Sequence, residues 1–124
     1  MTLKECVDFV NKVKPDHAFD NDTLTEWVNE VEGYVQTEVM LLNPVTDLTR
    51  YTWTSNQDTV LIVKPPHDKL YHSYLYAMID FYNGEYDKYQ NSMALYNAQM
   101  TEFAGWFIRN YHPADYPCCS GEDT

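Results

Sequence analysis

The amino-acid sequence predicts a mainly α fold: four helices, with a β-hairpin or extended arm inserted between the second and the third. Two observations carry that prediction. Apolar residues return every three or four positions in four separate segments, the pattern of a helix that buries one face. Between the second and third of these the period changes, and "RYTWTS" and "TVLIV" read as short β-branched or aromatic runs parted by "NQD". A chain of 124 residues, 44% of them hydrophobic, fits one such domain. At this length about two-thirds of the unfolded surface is removed from water on folding, enough for an ordinary core.

Thr2 followed by Glu5 is a capping box, and Leu3, Cys6, Val10 and Val13 then share a face, so a first helix is expected over about 3–14. Lys14-Pro15 ends it, because the residue before proline is pushed out of the helical region. Thr23 and Glu26 repeat the capping box. Leu24, Trp27, Val28, Val31, Val35 and Val39 form an apolar stripe with Glu26, Glu30 and Thr37 outside it, which predicts a second helix over about 24–40. Asn43-Pro44 stops this helix, and the arm follows, about residues 45–66 with its hairpin at 50–63.

Asp68 stands where it can cap a third helix whose Leu70, Tyr74, Ala77, Met78 and Phe81 share a face; Asn83-Gly84 supplies its left-handed end. From Glu85 the order is most regular. Tyr86, Tyr89, Met93, Tyr96, Met100, Phe103 and Phe107 alternate spacings of three and four, a heptad seam that predicts a helix over 85–110, about 39 Å long, facing a neighbour. Residues 1–111 thus read as a single helical domain and 112–124, with two prolines and no period, as a loose tail.

Charge narrows the function. Eight basic residues against nineteen acidic ones give −11, and no Lys/Arg cluster exists to neutralise phosphates, so direct nucleic-acid binding is not expected. Neither a signal-like apolar start nor a stretch of about 20 apolar residues appears, which predicts a protein made in the cytoplasm, with no membrane partner. Cys6, Cys118 and Cys119 make neither a disulfide framework nor a metal knuckle and read as reduced thiols.

Catalytic chemistry has thin support. His67, Asp68 and His72 are the nearest thing to a metal cluster, but Asp68 is accounted for as a cap, His67 by a proline loop, and no third strong ligand follows. Asp80, between Ile79 and Phe81, could be a half-buried acid or base, though a carboxylate in such a place more often bonds a neighbouring loop. No GxSxG, GxxxxGK[ST], GxGxxG or HExxH motif is present. The expectation is a protein that is not an enzyme and holds no cofactor, metal or catalytic residue.

Eleven tyrosines demand a reason. Many fall at core-facing or seam-edge positions, where the ring packs and the hydroxyl reaches water. Tyr71, Tyr76 and Tyr82 fall off the main stripe, and tyrosine on a second face suits a protein interface. With the arm residues Tyr51, Trp53, Val60 and Ile62, and with Arg109, they make the candidate interface. Arg50 and Arg109 are the two arginines available for pairing.

Several segments, in order, carry a family likeness: "VKP" at 13–15, "LTEWVNEVEGYVQTEV" at 24–39, and "VKPPHDKLYHSYLYAMIDFYNGEYDKYQNSMALYNAQMTEFAGWF" at 63–107. On these the chain resembles small phage and prophage head-tail connector proteins, also called adaptor or neck proteins. Pro66, Asp68, Leu70, Tyr71 and Tyr74, with "IDFYNGEYDKYQNSMALYN" over Ile79 to Asn97, are the most specific part. The resemblance implies a structural virion protein that forms a homo-oligomeric ring between portal or capsid and tail. It also implies portal and tail-completion proteins as neighbours, and DNA that passes through without sequence-specific binding. The alternative is a soluble acidic interaction module, an inhibitor or assembly chaperone, acting as a monomer.

Overall fold

The computed structural model describes residues 1–41 and 49–110. Its elements are α1 (Leu3–Val13), α2 (Asn21–Tyr34) continued by a π-helical turn (Val35–Val39), the short α3 (Trp53–Asn56), α4 (Lys69–Tyr82) and α5 (Tyr86–Asn110). The mainly α expectation holds; residues 42–48 of the arm and the tail from 111 lie outside the described residues.

Ring and polar contacts fix how the helices run. Phe9 stacks on His72 at 4.5 Å and Lys14 reaches Asp80, so α1 and α4 run the same way. Trp27 meets Tyr82, Glu30 meets Tyr74 and Glu32 meets Tyr71, so α2 runs against α4. Phe81 with Tyr89, Tyr74 with Tyr96 and His67 with Phe103 set α5 antiparallel to α4. The result is an up-down-up-down bundle with α4 at its centre. Its upper end holds the C-terminus of α1, and its lower end holds the N-terminus of α1.

The ends of the helices follow local chemistry. Thr2 and Glu5 form the expected capping box, each bonding the other's backbone N–H. At α2 the cap is Asp20 rather than Thr23: its carboxylate accepts from both the backbone and the hydroxyl of Thr23, at 2.8 Å each. Asp68 likewise makes no side-chain cap at α4, and its carbonyl instead accepts the Tyr71 N–H in a tight turn. Gly84, at φ 79°, provides the left-handed step into α5. The heptad seam is the packed side of α5, with Tyr96, Met100 and Phe103 buried and only Tyr86, at the first position, exposed.

The hairpin does not form: the described residues contain no named strand, only a single bridge between Thr2 and Val60. The physical reason is that the two runs find better partners than each other. Asn56 Oδ1 accepts the Thr52 N–H and begins a helical turn at Trp53. "TVLIV" then lies across the start of α1, where Thr59 O accepts from Leu3 N–H and Leu61 N–H donates to Met1 O, both at 3.0 Å. The bond from Leu3 N–H, with one from Lys4 N–H to Gln57 O at 3.0 Å, satisfies α1 N–H groups that a helix start leaves open, and the run places Leu61 and Val63 in the core. No described helix is long and apolar enough to cross a membrane.

The arm is fastened to α2 by side chains that imitate a strand edge. Asn29 donates to the Tyr51 carbonyl at 2.9 Å and accepts its N–H at 2.8 Å; Gln36 does the same for Thr49, at 3.1 and 2.8 Å. Asn29→Ala leaves both backbone groups of Tyr51 unpaired and is expected to lower stability by about 2–4 kcal/mol in urea unfolding. Glu26→Ala, which removes an exposed ion pair with Arg50 and a long 3.3 Å bond from Asn29 Nδ2 while leaving both Asn29 bonds to Tyr51 in place, should change it by less than about 1 kcal/mol.

Candidate functional site

Between Asn29 and Gln36 on the same face of α2 stands Glu32, fully buried. Its carboxylate accepts three hydrogen bonds: from the Tyr51 hydroxyl at 2.7 Å, the Tyr71 hydroxyl at 2.5 Å and the Ile62 N–H at 3.0 Å. Tyr71 in turn accepts the Val63 N–H at 2.9 Å. One carboxylate therefore joins α2, both ends of the arm and α4. Burial raises its pKa, while the bonds from Tyr71, Ile62 and Tyr51 and the charge of Lys64 pull the other way. Burial and the neighbouring carboxylate push both tyrosine hydroxyls up, which keeps them protonated as donors.

This centre sorts the candidate interface residues. Tyr51 and Tyr71 are buried and serve the fold, so they are not available to a partner; Ile62 is half-buried above the core, its N–H committed to Glu32. Trp53 is half-buried beside a depression of about 350 Å³ that it shares with Asp22, Glu26 and Arg50. Val60 is 51% exposed and Tyr82 58%. Tyr76 is half-buried under Lys14, whose ammonium lies 5.7 Å from its ring centre, and Arg109 is exposed at the end of α5. Apolar periodicity alone passes over Glu32; Asn29, Glu32 and Gln36, three and four apart, are the polar signal in the sequence that marks it.

Exposed apolar side chains are spread over the described surface, Phe9, Val13, Tyr34, Leu41, Leu95 and Ile108 among them, and two further groups stand at the ends of the bundle. At the upper end Tyr82 lies flat on Trp27, ring centres 5.7 Å apart and 4° from parallel, with the edge of Phe19 against both. Phe81, placed on the core face by periodicity, is instead 41% exposed and joins Tyr82 and Tyr86 in this patch. At the lower end Val60 is presented by the arm beside Thr2. Eleven residues of α1 separate the two, about 16 Å.

Next to the upper patch, Asp80 is 2% exposed, with Oδ1 3.1 Å from Lys14 Nζ. It bonds a neighbouring element, as its sequence context suggested. His67 and His72 point to different helices, the first against Phe103 and Trp106 of α5, the second against Phe9 of α1. Among the described residues no three His, Cys, Asp or Glu side chains are grouped to hold a metal. Cys6 is a buried thiol whose pKa burial pushes up; Cys118 and Cys119 lie outside the described residues.

Compared with models of known families, with curated proteins and with solved structures, the chain matches none.

The Glu32 centre carries a pH signature. Because its folded-state pKa is raised above 4.5, its contribution to stability is complete below that pH and is lost as pH climbs through the folded value. Urea unfolding of the wild type and Glu32→Gln, from below pH 4.5 to neutrality, isolates this term, since other groups titrate in both. The stability of the wild type relative to the variant should fall with rising pH; a rise would mean that the three hydrogen bonds outweigh burial.

Proposed function

We propose that this chain is a structural head-tail connector protein of a tailed phage, several copies of which close into a ring between portal or capsid and tail. One observation carries the reading: exposed apolar side chains of different kind stand toward opposite ends of α1, Val60 alone at one and the ring cluster of Phe81, Tyr82 and Tyr86 at the other. A subunit with two unlike sticky surfaces associates head to tail, and such contacts close into rings when the rotation between copies permits. The segments at 13–15, 24–39 and 63–107, which resemble connector proteins, support the same assignment.

Rigidity of the arm supports it as well. Val60 sits between Thr59, whose carbonyl accepts from Leu3 of α1, and Leu61, whose N–H donates to Met1, with the Ile62 N–H bonded to Glu32, so the lower surface is held in shape before any partner arrives. Preformed surfaces lose less entropy on association. A charge of −11 suits a ring through which DNA slides without adhering. In this reading the portal and tail-completion proteins contact the faces of the ring, and the protein resides in the virion.

A mixing experiment tests the contact. Val60→Glu destroys the lower surface and Tyr82→Glu the upper one, so each variant alone should be monomeric in sedimentation while the wild type forms larger species as concentration rises. Mixed in equal amounts, the two variants retain one intact contact between them and should give a species of twice the monomer mass. A mixture that stays monomeric contradicts head-to-tail association, and a wild type that is monomeric at every concentration favours a monomeric interaction module.

A further inference from the structure

The upper end of the bundle holds a carboxylate that is only half used. Asp80 Oδ1 faces Lys14, but Oδ2 is closed to solvent and has no hydrogen-bond partner among the described residues. An acceptor in that state destabilises the molecule until a donor completes it. Asp80 also lines a depression of about 180 Å³ together with Lys14, Asp16, Asn83, Glu85 and Lys88.

Charge says what kind of donor fits. At this end Asp16, Asp20, Asp22, Asp80, Glu85 and Asp87 stand against three lysines, Lys12, Lys14 and Lys88, so the surroundings favour a cation over an anion. Lys88 belongs to an exposed pair with Glu85, 64% and 45% exposed, and such pairs hold their geometry weakly. Both Lys88 and Glu85 line the depression, so a cation reaches the enclosed Oδ2 when this pair gives way. At the opposite end, Lys69 in the first turn of α4 and Arg109 in the last turn of α5 are exposed, and among the described residues neither forms an ion pair.

We propose that, in the head-to-tail contact, an ammonium or guanidinium group of a second copy, from Lys69 or Arg109, enters the Asp80 depression and donates the missing hydrogen bond to Oδ2. The inference rests on the ring reading and extends it by naming a polar anchor beside the apolar patch. The depression adjoins that patch through Asn83 and Glu85, which follow Phe81 and Tyr82 in the chain and precede Tyr86. The same cation that completes Asp80 also fixes the register of the contact, because a charge pair tolerates misplacement less than ring packing does.

Two measurements keep the site and the ring apart. In the Val60→Glu/Tyr82→Glu double variant, which does not assemble on this account, titration with methylammonium chloride should move the Asp80 carboxyl ¹³C resonance saturably, while sodium chloride at equal ionic strength leaves it in place. No saturable movement overturns the site. In the otherwise wild-type chain, Asp80→Asn and the Lys69→Gln/Arg109→Gln double variant should each weaken assembly by about tenfold or more in sedimentation, with melting curves showing that both remain folded. Undiminished assembly in either overturns the second-copy cation even where methylammonium binds. A wild type that never assembles overturns the ring and this occupant together, and the methylammonium titration then reports on the carboxylate alone.

Discussion

A carboxylate sealed inside a small helical bundle constrains everything around it. Glu32 has no exposure, and an ionised group in such a place is tolerated only when its acceptor sites are filled. The bundle fills them with Tyr51 from the start of the arm, Ile62 from its end and Tyr71 from α4. Asn29 and Gln36 extend the same logic one turn up and one turn down, pairing with the backbones of Tyr51 and Thr49. The arm, whose Tyr51, Leu61 and Val63 are buried in the core, is thereby fastened to α2 by polar bonds as well as by packing.

That fastening links the interior to the surface. Because residues 59, 61 and 62 are committed to Leu3, Met1 and Glu32, Val60 between them is left facing outward in a fixed position. At the other end the sharp turn at Gly84 brings Phe81, Tyr82 and Tyr86 together, and the stack of Tyr82 on Trp27 holds the patch in place. Tyrosine therefore has two uses in this chain: Tyr51 and Tyr71 donate to a buried acid, whereas Tyr82 and Tyr86 offer contact area outside. The rings are alike and only their neighbours differ.

Much of the fold was legible in the sequence. Four helices appear close to their expected limits because their stripes, the Thr2 cap and Gly84 are local signals, and local signals survive whatever the rest of the chain does. The second helix ran past its assigned start because Asp20 outcompeted Thr23 as cap. The hairpin failed for a non-local reason: the partners of "TVLIV" are the first residues of the chain and a glutamate about thirty positions upstream, which no window of neighbouring residues contains. The candidate surface was half legible. Val60 and Tyr82 stand out as exposed, yet periodicity alone cannot separate a tyrosine off the stripe that faces solvent from one, such as Tyr71, that faces a buried acid on another helix.

Native-state hydrogen exchange at the backbone amides of Tyr51, Ile62 and Val63 tests the central claim most directly. If the Glu32 centre fixes the arm, these three amides, bonded to Asn29, Glu32 and Tyr71 respectively, should exchange only through global unfolding, with the same protection as amides in the middle of α4. Exchange at the rate of an open loop, while α4 stays protected, would show that the arm is not fastened and that the lower surface is not preformed.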